Sequence, residues 1–132
     1  MRKAQAEVRK VFSGKGKVDE TLIHELNFLK SDIKEILRLH PPCPLLLPRE
    51  SRKSYEINGY EILAKSRVIV NAWVMGRDPR YCTKAETFYS KRFLDSLVNY
   101  RGMNFKYIPF GTGRRMSPRI SFALPNIELP PA

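Results

Sequence analysis

Between Leu22 and Pro42 the chain carries a long amphipathic helix signal and then cancels it. Leu22, Leu26, Leu29, Ile33, Ile36 and Leu37 recur every three or four residues. That is the period of an α-helix, so these side chains form an apolar stripe that must pack on something. Pro41-Pro42 end it, because proline lacks an N–H and its ring clashes with the preceding turn. Asp19 is the expected N-cap, and a break near Asn27 or Ser31 is expected within the run. Glu35 and Arg38 lie three apart on the same helix and share a face. Alone, such a pair is usually a solvent-exposed ion pair contributing about 0.2–0.5 kcal/mol.

Proline also punctuates the rest. There are ten in 132 residues, and the clusters at Pro41, Pro42, Pro44 and Pro48 and at Pro125, Pro130 and Pro131 mark where regular structure stops. Upstream, Ala4, Val8, Val11 and Phe12 sit at helical spacing, predicting the end of a helix over Arg2–Phe12. Ser13-Gly14-Lys15-Gly16 stops it, since glycine readily takes the left-handed conformation. Downstream, Tyr55 and Ile57, then Asn58-Gly59, then Tyr60 and Ile62 predict a hairpin; both Asn-Gly positions tolerate positive φ. Arg67 to Ala72 reads as a third strand, partly buried on both faces. Trp73 to Asp78 starts a short helical turn that Pro79 closes. From Pro79 to Tyr107 aromatics fall at irregular spacing, and a stretch this long without periodicity has a functional reason or a missing partner. Ile120 to Ala132 would begin a helix that Pro125 is expected to break. The expected fold class is mainly α with small β elements, α+β, in one small domain's worth of chain. There is no internal repeat and no low-complexity segment.

Composition narrows the function classes. A hydrophobic share of 42 % fits a globular chain rather than a disordered tail. No apolar run is long enough to cross a bilayer, and no signal-peptide pattern follows Met1. The net charge is +11, which invites a nucleic-acid reading. The basic residues, however, are interleaved with acids along the whole chain, and no zinc-finger spacing, RNA-binding aromatic signature or basic helix with heptads accompanies them. A docking face for an acidic protein partner and a merely solvated surface both remain open. The two cysteines, Cys43 and Cys82, lie far apart, suggest neither a zinc site nor a secreted disulfide scaffold, and make a reducing compartment the default.

Three segments come in a fixed order: KEILRLHPP (Lys34 to Pro42), FYSKRF (Phe88 to Phe93) and PFGTGRRMSPR (Pro109 to Arg119). The glycines of the last are not a P-loop, because no Gly-Lys-Ser/Thr opens a helix after a strand. Together with LRLHPPCPLLLPRE, YEINGYEI, VIVNAWVMGRDPRY and NFKYIPFGTGRRM, the set resembles the cytochrome P450 family of the plant microsomal type, over nearly the whole chain. The resemblance implies residues 1–132 as a C-terminal, partial domain of that fold, with haem as cofactor and an O₂-dependent monooxygenase activity. It implies electrons from an NADPH-dependent reductase and an apolar small-molecule substrate, to which Leu45 to Leu47 match a facing segment. Glu35 and Arg38 match the family's Glu-x-x-Arg pair, and Arg92 matches the third member of that triad. The surrounding Ser90-Lys91-Arg92-Phe93 replaces the usual Pro-Glu-Arg-Phe. Arg49 and Arg115 match haem-propionate contacts, a task that suits the fixed guanidinium fork. Phe110 matches an aromatic near the ligand loop.

At the axial position the resemblance departs. Where the family has the iron-ligating cysteine this chain has Ser117, a hard and weak donor, so the ligand role is not carried over and no metal ligand is assigned. Arg119 stands where the family has a glycine. The family's membrane anchor, its distal oxygen-activating helix and most substrate loops are expected upstream of residue 1, leaving the Leu22 to Leu37 stripe and one haem face open to water. The resemblance implies an endoplasmic-reticulum protein facing the cytosol; without the anchor this chain is expected to be cytoplasmic or peripheral. The expected function is a fragment of a haem-thiolate monooxygenase that is inactive as given. The alternatives are a non-catalytic haem- or reductase-binding remnant, or a non-functional product.

Overall fold

The computed structural model describes residues 2–13, 20–100 and 103–129. The expected stop at Gly14 and Gly16 and the expected cap at Asp19 lie outside them. Helix α1, Arg2–Phe12, buries Ala4 and Val8, the face that the apolar spacing predicts. The following stripe is divided: a 3-10 turn over Glu20–Glu25 leads into α2, Asn27–Leu39. The break falls at Leu26, where ψ of 64° leaves the helical region. Leu26 is fully buried and has no side-chain oxygen with which to cap the helix it precedes. The cap comes from α1 instead. Glu7 accepts from the Phe28 N–H through Oε1 and from the Leu29 N–H through Oε2, both at 2.9 Å. The carboxylate thereby satisfies two orphan donors and meets the positive end of the helix dipole.

This cap welds α1 to α2 over a shared apolar core. Ala4, Val8, Leu26, Leu29, Ile33 and Leu37 are its buried members, with Val11, Phe12, Phe28, Tyr100 and Phe110 packed around them. The stripe is therefore not open to water, contrary to the expectation, because α1 and two aromatics from the irregular C-terminal half cover it. Its exceptions are Ile36, 47 % exposed, and the half-buried Leu22. The opposite side of α2 is closed as well: Ser31, Asp32, Glu35 and Arg38 are all buried. A helix wrapped on both sides is the structural centre of the chain.

After Pro48 come four short strands in two antiparallel pairs. β1 (Arg49–Glu50) pairs with β4 (Arg67–Val68), and β2 (Tyr55–Ile57) with β3 (Tyr60–Ile62). Asn58 and Gly59 make the predicted turn, at φ of 51° and 81°. The third strand is shorter and wetter than expected. β4 stops at Val68, both of its residues are exposed, and so is Ile69. Its one neighbour is a two-residue strand, so no second layer covers those side chains among the described residues. The chain then turns into α3, Ala72–Gly76, capped by the Asn71 side chain, which accepts from the Val74 N–H at 3.0 Å.

Among the described residues, 77–100 and 103–112 contain no helix or strand. A 3-10 turn follows at Gly113–Arg115, and the chain closes with α4, Ile120–Glu128, which packs on α2. Helix α4 runs through Pro125, so the expected break does not occur. Only the Ser121 carbonyl loses a donor to the proline, and both residues are exposed to solvent. The next bonds are made: Asn126 Nδ2 donates to the Phe122 carbonyl at 2.6 Å and the Leu129 N–H to the Pro125 carbonyl at 3.0 Å. The class is mainly α with small β elements, as expected.

Candidate functional site

Two arginine-rich centres flank α2. The first is built on Glu35, whose carboxylate is wholly inaccessible to solvent at 0 % exposure. Arg38, one turn on, lays its fork across it, with Nε to Oε2 and Nη2 to Oε1 both at 2.9 Å. Arg92, from the irregular segment, places Nε 3.1 Å from both oxygens, and the Tyr89 N–H donates to Oε1 at 2.9 Å. Burial by itself raises the Glu35 pKa. The bonds from Arg38, Tyr89 and Arg92 outweigh it, so the carboxyl titrates below its ordinary range.

The outer nitrogens of both arginines bind main chain. Arg38 Nη1 donates to the carbonyls of Gly76 at 2.7 Å and Ala85 at 2.6 Å. Arg92 Nη1 donates to Thr83 at 2.6 Å, and Nη2 to Lys84 at 3.2 Å and Thr87 at 3.3 Å. One carboxylate thus holds α2, α3 and the coil after Pro79 in register. The structure brings Glu35, Arg38 and Arg92 together as predicted. It adds Gly76, which the sequence reading missed: a Cβ there would sit 2.7 Å from the Arg38 carbonyl oxygen. Two further ties were missed. Ser31 Oγ donates to the Ser90 carbonyl at 2.6 Å, and the Tyr107 hydroxyl to that of Lys34 at 3.1 Å. Neither has a local sequence signal, since the partners are 59 and 73 residues apart.

Phe93, Tyr107, Tyr100 and Phe110 then form a chain of ring contacts at 5.1, 6.0 and 6.0 Å, leading from that lock to the second centre. There Gly111 and Gly113 both have positive φ, 80° and 70°, a conformation that glycine adopts without strain. They curl the loop so that the Ser117 N–H donates to the Phe110 carbonyl at 3.0 Å. Arg49, at the edge of β1, reaches over with Nη2 to the Thr112 carbonyl at 3.0 Å. Arg49 and Arg115 line one open cavity of about 610 Å³ together with Arg52, Arg114, Ser51, Tyr55 and a single acid, Glu50. Phe110 is half-buried at the back of the loop. Ser117 is half-buried too, and its Oγ accepts from the Arg119 N–H at 3.4 Å at the start of α4. Arg119 is exposed with φ of -79°, a conformation open to any residue, so its Cβ brings no backbone strain.

Comparison with known proteins agrees with this layout. The family description "Cytochrome P450" matches residues 1–129. The chain belongs to the cytochrome P450 family. It is 58 % identical over 130 residues to cytochrome P450 71D10 of Glycine max, covering 98 % of this chain and 26 % of that protein. It is 61 % identical over 130 residues to tabersonine 16-hydroxylase 2 of Catharanthus roseus, covering 98 % and 25 %. A zebra fish cytochrome P450 solved with progesterone superposes with a TM-score of 0.80 at 27 % identity, over 97 % of this chain and 28 % of the other. The chain thus spans about a quarter of the length of the curated relatives it matches. Among the described residues no helix is long and apolar enough to cross a membrane, and no cluster of three or more His, Cys, Asp or Glu could hold a metal ion.

Proposed function

We propose that this chain is the haem-side portion of a haem-thiolate monooxygenase in which Ser117 stands at the axial position, so that it does not support thiolate-dependent oxygen activation. The observation that carries the reading is the convergence of Arg49 and Arg115 on one cavity beside the curled Pro109–Arg119 loop. Two permanently charged forks there fit the two carboxylates of haem, and the half-buried Phe110 supplies an apolar contact behind them. The axial position does not fit. When a thiolate occupies it, the ligand donates electron density that favours O–O cleavage. Ser117 instead offers a hydroxyl, which stays protonated at neutral pH and is a weak donor to iron. No step of oxygen chemistry is therefore assigned to this chain.

What its own residues do is positional. The Glu35–Arg38–Arg92 lock and the aromatic relay fix the coil after Pro79 against α2. Arg49 fixes the glycine loop against β1. The exposed Leu45 and Leu47 are the residues assigned to an apolar small-molecule substrate, and the basic surface is assigned to an NADPH-dependent reductase. The same reading places the parent activity at the cytosolic face of the endoplasmic reticulum. Titrating haem into the full chain while following the Soret absorbance tests the reading. Saturable binding that falls in both Arg49→Ala and Arg115→Ala is expected; binding unaffected by either change would rule out propionate recognition.

A further inference from the structure

The haem reading uses two of the four arginines around the cavity between β1, β2 and the glycine loop. Arg52 and Arg114 line the same cavity and have no part in it. Clustering four guanidiniums is unfavourable unless counter-charge is present. Here the protein supplies little, since Glu50 is the one acid among the described residues of the lining. The ion pairs found among the described residues belong to other arginines: Arg38 and Arg92 with Glu35, Arg77 with Glu86, and Arg80 with Asp78. Arg49 is pre-set by its bond to the Thr112 carbonyl. Lys53 adds a further cation beside the lining residue Tyr55, with Nζ 5.3 Å from the centroid of its ring. Tyr55 of the β2–β3 hairpin lines this open cavity, and Tyr55, Ile57 and Tyr60 are all exposed.

We propose that Arg52 and Arg114, backed by Arg49 and Arg115, form a binding site for a phosphate dianion. A phosphate suits the cluster better than a carboxylate. It carries up to two negative charges and three terminal acceptor oxygens, so it engages several guanidinium forks at once. The same chemistry is presented by a free phosphate ester and by a phosphomonoester lipid headgroup, and the exposed apolar hairpin beside the cavity is compatible with either source. The site does not depend on haem, because neither Arg52 nor Arg114 is assigned a propionate.

The test uses the full chain without haem. Calorimetric titration with inorganic pyrophosphate is one arm. Co-sedimentation with phosphatidylcholine vesicles containing phosphatidic acid, against phosphatidylcholine alone, is the other. Saturable binding in either arm that weakens by about tenfold or more in R52A/R114A is expected, with K3A/K10A on the exposed side of α1 as the charge-matched control. Binding in the pyrophosphate arm identifies a soluble phosphate as sufficient. Binding confined to phosphatidic acid vesicles identifies the lipid headgroup. The proposal is overturned by absence of binding in both arms, by binding that R52A/R114A retains, or by an equal loss in K3A/K10A. Failure of the haem titration would leave every one of these outcomes readable.

Discussion

The Glu35 lock and the arginine loop use the same donors, guanidiniums aimed at oxygen, and arrive at opposite states. At Glu35 two arginines meet one carboxylate that water cannot reach, and their outer nitrogens bind the carbonyls of Gly76, Ala85, Thr83, Lys84 and Thr87. At the loop four arginines line an open cavity, and the one side-chain hydrogen bond found for them among the described residues runs from Arg49 to the Thr112 carbonyl. The charges of the first centre are paired inside the described residues, whereas those of the second line an open cavity. Stability is expected to reside at the first and binding at the second. Substitutions should therefore separate the two properties.

The largest effect is expected at the lock. Glu35→Ala leaves two guanidiniums, one of them fully buried, without counter-charge, and should destabilise the chain by about 3–5 kcal/mol in urea unfolding. Acid should expose the same dependence. Because the folded carboxyl titrates below its ordinary 4.5, its contribution is present above that value and is lost as pH falls through the folded pKa. Between about pH 6 and about pH 3 the unfolding midpoint of Glu35→Gln should therefore change less than that of the unsubstituted chain. Next is Gly76→Ala, whose Cβ would press on the Arg38 carbonyl at 2.7 Å; a loss of about 1–3 kcal/mol is expected, read as a lower Tm. Glu7→Ala removes the two bonds that cap α2 and should cost about 1–2 kcal/mol by the same melt. The smallest change in stability is expected for Arg115→Ala, within about 0.5 kcal/mol, together with a clear loss in the haem titration. A large stability loss at Arg115, or a silent Glu35→Ala, would break the contrast between the two centres.

Much of this was legible in the chain itself where structure is local. The period of Leu22 to Leu37, the Asn58-Gly59 turn and the Pro41-Pro42 stop depend on neighbours a few residues away, and they were read correctly. What depended on distant partners was not. The α2 cap is supplied by Glu7, about 20 residues upstream. Gly76 is needed because of a carbonyl 38 residues earlier. The stripe was expected to be wet because its cover, α1 with Tyr100 and Phe110, comes from both ends of the chain. Pro125 misled in the other direction. A propensity rule predicts a break, yet the lost bond falls on the solvent-exposed Ser121 near the start of α4, where its carbonyl is free to bond solvent instead. Of the site residues, Glu35, Arg38 and Arg92, grouped in the sequence by the family resemblance alone, meet around one carboxylate, and Arg49 and Arg115 share a cavity. The role proposed for Ser117 rests on chemistry alone, a hydroxyl where the resemblance implies a thiol.

That chemistry is the point at which the account is most exposed. The direct measurement is the carbon-monoxide difference spectrum of the reduced, haem-loaded chain, recorded beside Ser117→Cys. The chain as it stands should give no thiolate-type band, and Ser117→Cys should produce one. A thiolate-type band from the unsubstituted protein would mean that a sulfur ligand reaches iron by another route, and the assignment of Ser117 to the axial position would be wrong.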